Sequence, residues 1–203
     1  MGVTDSLKTE RPKILVLFAH PYPQHSRINV AMVKAIRDLP HVTLHDLYET
    51  YPDFHIDMKR EQALLEAHDV IVMQHPLYWY SCPSLLKEWM DSVLEYGWAY
   101  GTGGTRLRGK ELVQAVSTGG PGHAYQPDGY NGLTMADLLK PFERTAILCG
   151  MTYGRPFLFQ GARLRSVDDI AAHATAYREW LNDYPHPGHG VGCDQPAVPA
   201  SDR

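Results

Sequence analysis

Three short segments hold most of the side chains in this sequence that could do chemistry. The first runs from His20 through a proline-broken turn to Ser26, Arg27, Ile28 and Asn29. Ser26 stands just before an apolar pattern of helical spacing, Val30, Val33, Ala35 and Ile36, so it reads as an N-cap. A helix start leaves N–H groups unpaired and carries the positive end of a dipole, which makes it a ready site for phosphate. The turn has no glycine, so it is neither the G-x-G-x-x-G nor the G-x-x-x-x-G-K loop. An ordinary capped helix would carry the same residues.

The second segment, His75-Pro-Leu-Tyr-Trp-Tyr-Ser-Cys-Pro83, offers backbone amides and broad aromatic faces on Tyr78, Trp79 and Tyr80. The third, Ser117-Thr-Gly-Gly-Pro-Gly-His-Ala-Tyr-Gln126, lets backbone approach a flat ligand closely through Gly119 and Gly120.

Other patterns carry less. Cys82 precedes a helix start, where a thiolate would be stabilised, but packing explains a cysteine there as well. Cys149 to Arg155 spells C-x-x-x-x-x-R, a phosphatase signature. That chemistry needs a strand before the cysteine and a helix after it, and the pattern here is the reverse. The 11 histidines are scattered, with only His186 and His189 close together, so no metal site is expected. Gly101 to Gly104 neither follows a strand nor opens a helix, and reads as a loop.

The elements that must position the three segments alternate along the chain. Short apolar runs at 14–19, 42–47, 69–74, 110–117 and 157–159 read as strands. Helical patterns begin at Ser26 and cover about 58–68, 83–95, 134–149 and 167–182. In the third of these, Leu85, Leu86, Trp89, Met90, Val93 and Leu94 form one stripe, which assigns Trp89 to the core. Residues 1–12 read as a flexible arm, 13–184 as one domain, and 185–203, rich in Pro, Gly, His and Ser, as a disordered tail. The 203 residues suffice for one sizeable core. A net charge of −4 and the lack of a basic block argue against nucleic acid as a partner. Three widely spaced cysteines imply no disulfide framework, and a cytoplasmic location is expected.

Alternating strands and helices imply a doubly wound α/β fold: a flavodoxin-like five-stranded parallel sheet, order 2-1-3-4-5, with helices on both faces. Ligands of such sheets bind beyond the carboxyl ends of the strands. The loops after strands one, three and four are the three segments above, so they should line one crevice. Phosphate site, stacking platform and close backbone together describe a place for flavin mononucleotide (FMN).

The same residues resemble a known family. Ala19-His-Pro-Tyr-Pro with Ser26 to Asn29, Gln74-His-Pro-Leu-Tyr-Trp-Tyr80, Leu85-Leu-Lys-Glu-Trp89, Gly97-Trp-Ala-Tyr100 and Ser117-Thr-Gly-Gly120 are similar to the flavin-dependent NAD(P)H quinone oxidoreductases. The ancillary proteins of bacterial glutathione-regulated potassium-efflux systems are especially similar. The resemblance implies a homodimer with flavin at the dimer crevice and NADPH or NADH as hydride donor to a quinone. It implies that His20, Ser26, Arg27, Ile28 and Asn29 hold the phosphate and ribityl chain. Pro76, Leu77, Tyr78 and Trp79 would line one side of the ring, and Ser117, Thr118, Gly119 and Gly120 the other. Tyr125 matches a catalytic Tyr by spacing, whereas the family's catalytic His falls on Asn131. The short segment between Leu47 and Glu61 favours FMN over FAD. The resemblance equally allows a regulatory subunit on the cytoplasmic domain of a potassium-efflux channel, at the inner face of the membrane. Nitro or azo acceptors would suit the same flavin chemistry.

Overall fold

A computed structural model describes residues 11–184. The expectations for 185–203, including His186 and His189, and for most of the N-terminal arm lie outside the described residues. The elements run β1 (Ile14–Phe18), a 3-10 turn (Pro23–His25), α1 (Arg27–Ile36), β2 (Val42–Asp46), α2 (Leu47–Thr50), α3 (Met58–Glu66), β3 (Val70–Pro76), α4 (Ser84–Val93), β4 (Glu111–Ser117), a second 3-10 turn (Gly122–Ala124), α5 (Met135–Leu148), β5 (Thr152–Tyr153), β6 (Phe157–Phe159) and α6 (Val167–Asn182). All sheet pairings are parallel, in the order β2-β1-β3-β4-β5, with β6 also pairing β4. The fold class expected from the sequence is therefore the one observed.

Every residue of β1 and of β3 is buried, as expected when both faces of a sheet are covered. Leu15 and Leu17 point into one core with Leu85, Leu86 and Trp89 of α4 and Leu138, Leu139 and Phe142 of α5. Ile14 and Val16 point into the other, against Ile28, Met32 and Ile36 of α1 and Ile170, Tyr177 and Leu181 of α6. The period of two along the strand thus feeds two separate cores. Capping boxes at Thr134–Asp137 and Ser166–Asp169 start α5 and α6. Arg178 on α6 clamps Asp38 and the Ala35 carbonyl at the end of α1, and Arg11 Nη1 donates to Asn182 Oδ1 at 3.0 Å. No helix among the described residues is long and apolar enough to cross a membrane.

Two departures from the expected elements have local causes. Leu47 was expected to close the second strand, but the Asp46 carboxylate accepts from Tyr48 N and Glu49 N and caps a short helix, α2, starting at Leu47. The strand expected at 157–159 is β6, on the upper half of β4, and an unexpected short strand, β5, pairs with its lower half. Between them, a Cβ on Gly154 would fall 2.4 Å from Glu111 Oε1 and 2.7 Å from Val113 Cγ2, and Pro156 has no N–H to give a ladder.

Beneath β2, one carboxylate is fully buried. Glu61 accepts from His45 Nε2 at 2.9 Å, Tyr51 Oη at 2.6 Å and Trp89 Nε1 at 2.8 Å. Burial alone would raise this carboxyl, but the three donors outweigh it and hold the group below the usual carboxylate range. A depressed carboxyl stabilises the fold above the unfolded-state pKa and loses that contribution as pH falls through the folded value. Glu61→Gln, which turns an NH₂ toward donors, should cost about 2–4 kcal/mol at pH 7 in urea unfolding. The gap to wild type should narrow below about pH 4.

Candidate active site

The carboxyl ends of β1, β3 and β4 stop at matched heights, because Phe18 pairs with Gln74 and Pro76 with Ser117. The loops leaving those ends enclose an open cleft of about 880 Å³. Its wall includes twelve of the residues named from sequence: His20, Ser26, Arg27, Ile28, Asn29, Pro76, Leu77, Tyr78, Trp79, Ser117, Thr118 and Gly119. Gly120, Tyr125 and Asn131 are not on the wall. The convergence of three loops is therefore present in the structure.

One end of the cleft is built to give hydrogen bonds. Ser26 caps α1 by accepting from Asn29 N at 3.3 Å, and the N–H groups of Arg27 and Ile28 find no protein partner among the described residues. His20 is buried, and its Nδ1 accepts from Tyr22 N at 3.1 Å. Burial lowers the imidazole to about 4, so the ring is neutral and its proton sits on Nε2. Asn29, equally buried, gives its Nδ2 protons to Ser26 Oγ at 3.0 Å and Ser117 Oγ at 2.8 Å.

The opposite walls are flatter. Tyr78 N and Ser81 N each donate to the other residue's carbonyl, at 3.1 and 2.9 Å, closing a two-residue hairpin. Its central residues, Trp79 and Tyr80, have φ of 49° and 63°. Positive φ at both positions defines a type I′ turn, which Asn-Gly fills without strain and aromatic residues do not. The turn holds the Trp79 ring 94 % exposed, and Tyr80 Oη donates to Asn131 Oδ1 at 3.2 Å. Facing it, Thr118 N donates to Phe159 O at 2.8 Å, Thr118 Oγ1 to Gly120 O at 2.7 Å and Gly161 N to the same carbonyl at 2.7 Å, which fixes the Gly119–Gly120 backbone. A Cβ on Gly120 would lie 3.3 Å from the Tyr125 hydroxyl, so that hydroxyl sits directly behind the glycine.

Sequence reasoning passed over Tyr22, His25, Ala162 and Arg163, which also line the cleft. The last two follow β6, and the rule that placed the other loops at the strand ends applies to that loop as well. Arg163 Nε lies 3.3 Å from where a Gly119 Cβ would stand, which adds a cation to that wall. At Cys82 burial pushes the thiol up, in keeping with the packing reading rather than with a stabilised thiolate. Cys149 is buried, its thiol pushed up to about 11, at the end of α5 and off the cleft.

Fold and cleft together define a flavodoxin-like α/β protein, with the cleft at the switch point of the sheet. A family model described as Flavodoxin-like fold matches residues 12–182, and the chain belongs to that family. The glutathione-regulated potassium-efflux system ancillary protein KefG of Cronobacter sakazakii is 49 % identical over 182 residues, 90 % of this chain and 99 % of that one. Among solved structures, general stress protein 14 of Treponema denticola in complex with FMN superposes with a TM-score of 0.81 and 41 % identity, covering 84 % of this chain and 98 % of that one. An NADPH-quinone reductase of P. pentosaceus gives a TM-score of 0.77 and 33 % identity over 84 % and 98 %. A chain described as a thermophilic tryptophan halogenase of Streptomycin violaceusniger gives 0.80 and 51 % over 81 % and 96 %. Only two of the four descriptions name a reaction, and those two differ, so the reaction has to be argued from the site.

The strained hairpin makes a test of its own. Trp79→Gly removes a large side chain yet relieves the positive φ and forfeits almost no buried area. Thermal or urea unfolding should find stability unchanged or higher by up to about 1 kcal/mol. A loss above that size would mean that the ring supports the fold.

Proposed function

We propose that the chain is an FMN-dependent NAD(P)H:quinone oxidoreductase that works as a homodimer. The observation that carries this reading is a single cleft joining a donor-rich helix start to flat aromatic and glycine walls. The phosphate and ribityl chain of FMN would meet His20, Ser26, Arg27, Ile28 and Asn29. Pro76 to Trp79 and Ser117 to Gly120 would flank the ring. FMN is favoured over FAD by one compact donor cluster and by the short 47–61 segment. Held there, FMN would supply two-electron hydride chemistry between NADPH or NADH and a quinone.

The chain's own groups would do the rest. The backbone amides near Gly119 and Gly120 and the Arg163 guanidinium favour negative charge at that wall. The Tyr125 hydroxyl, behind Gly120, is the candidate proton donor, and Asn131 steadies the Trp79 hairpin through Tyr80. The exposed rings of Trp79 and Tyr130, each 94 % accessible, suit cover by a second subunit. A second role, as an ancillary subunit on the cytoplasmic domain of a potassium-efflux channel, is supported by the near full-length likeness to KefG. The two roles are compatible, and the second would place a cytoplasmic protein at the inner face of the membrane.

The absorbance spectrum of the purified protein tests the first role. Flavin bands that bleach with anaerobic NADPH and return with benzoquinone are expected; a colourless protein that takes up no added FMN would overturn it. Tyr125→Phe should lower kcat by about 100-fold while the FMN Kd stays within about twofold. Because His20 stays neutral above pH about 4, FMN affinity should follow the ligand's own ionisation. It should weaken by up to about tenfold per unit below pH ~6, where a phosphomonoester gains its second proton, and riboflavin binding should not change.

A further inference from the structure

Asn29 occupies an unusual place in the donor cluster. Both of its Nδ2 protons are engaged, on Ser26 Oγ at 3.0 Å and Ser117 Oγ at 2.8 Å, and its backbone N–H adds a second contact to Ser26 Oγ at 3.3 Å. Gln74 Nε2 donates to the Asn29 carbonyl at 3.2 Å, which pins the residue from below. The amide therefore ties the start of α1 to the end of β4, and it is only 1 % exposed.

A serine hydroxyl has one proton and two lone pairs. Ser26 Oγ spends both lone pairs on Asn29, so any further hydrogen bond it makes must use its proton. Ser117 Oγ has accepted once, from the same amide. Neither hydroxyl donates to a protein group among the described residues, and both line the cleft. The other groups at this end, His20 Nε2–H and the N–H groups of Arg27 and Ile28, also donate.

We propose that Asn29 is a positioning residue: by filling both lone pairs of Ser26 Oγ and one of Ser117 Oγ it turns the two serine protons toward the ligand and leaves a subsite in which donors predominate. A group that only accepts, namely a doubly ionised phosphomonoester, matches such a subsite better than a neutral hydroxyl, which would find no acceptor on Ser26. This rests on the FMN reading given above and assigns Asn29 a role behind the groups that touch the phosphate.

The test is a double-mutant cycle on the FMN Kd, with the same cycle read by the rise in Tm that inorganic phosphate gives the apoprotein. Asn29→Ala should raise the FMN Kd by roughly tenfold or more in the wild-type background. In the Ser26→Ala/Ser117→Ala background it should change nothing further, because the serines through which it acts are gone. Asn29→Asp, nearly the same shape, puts an acceptor against both hydroxyls, draws their protons away and should abolish the phosphate-induced rise in Tm. An equal cost of Asn29→Ala in both backgrounds, or wild-type binding by Asn29→Asp, would overturn the proposal. If the wild type is stabilised by inorganic phosphate yet takes up no FMN, the flavin reading falls while the phosphate cycle still decides the role of Asn29.

Discussion

The register of the parallel ladder is the constraint on which everything else here depends. Parallel strands need crossover connections, so each strand end releases a loop on the same side of the sheet. With Phe18 level with Gln74, and Pro76 level with Ser117, three of those loops start within a residue or two of one another. The α1 start, the aromatic hairpin and the glycine pair meet because of that alignment. A slip of one residue in β3 would move Val70, Val72 and Gln74 to the opposite face and carry the hairpin away from Ser117.

Much of this was legible from residue types. The apolar run of β1, the nearly all-apolar run of β3, the stripe on α4 and the Ser26 cap are local signals, and the structure agrees with them. What could not be read depended on partners far along the chain. Gly154 breaks the edge strand because Glu111 and Val113 crowd it, and nothing near residue 154 announces that. The capping role of Asp46 had a visible signal, but buried Leu47 reads equally well as the last strand residue. The positive φ of Trp79 and Tyr80 was hidden for a different reason, since neither side chain is typical of a left-handed position. Arg163 was missed because the short strand before it gave a weak cue to where its loop would lie. At Cys82, both the helix start and the packing reading were legible, and burial raises its thiol.

The interior handles polarity in two ways. Glu61 is enclosed by three donors, so its charge serves the fold and its position beneath β2 is fixed. Around Asn29 the polar groups answer one another only in part, and the surplus donors open on the cleft. Strain follows the same division. Two left-handed aromatic residues sit side by side on the rim of the site, and a third, Phe54, lies in the loop before α3. A rim shaped in this way fixes the direction of a ring before any ligand arrives, which reduces the ordering that binding would otherwise require.

The contact between Arg11 and Asn182 has a consequence of a more practical kind. It brings the first and last described segments together at the amino edge of the sheet, where β1 begins and α6 ends, and the cleft opens at the carboxyl edge. A tether, a fused fluorophore or a surface-immobilisation handle placed at Arg11 or Tyr184 would therefore project from the back of the domain. A short linker joining residues 11 and 184 would permit new openings elsewhere in the domain, giving circular permutants in which the ladder order is kept and the ligand-facing loops are untouched.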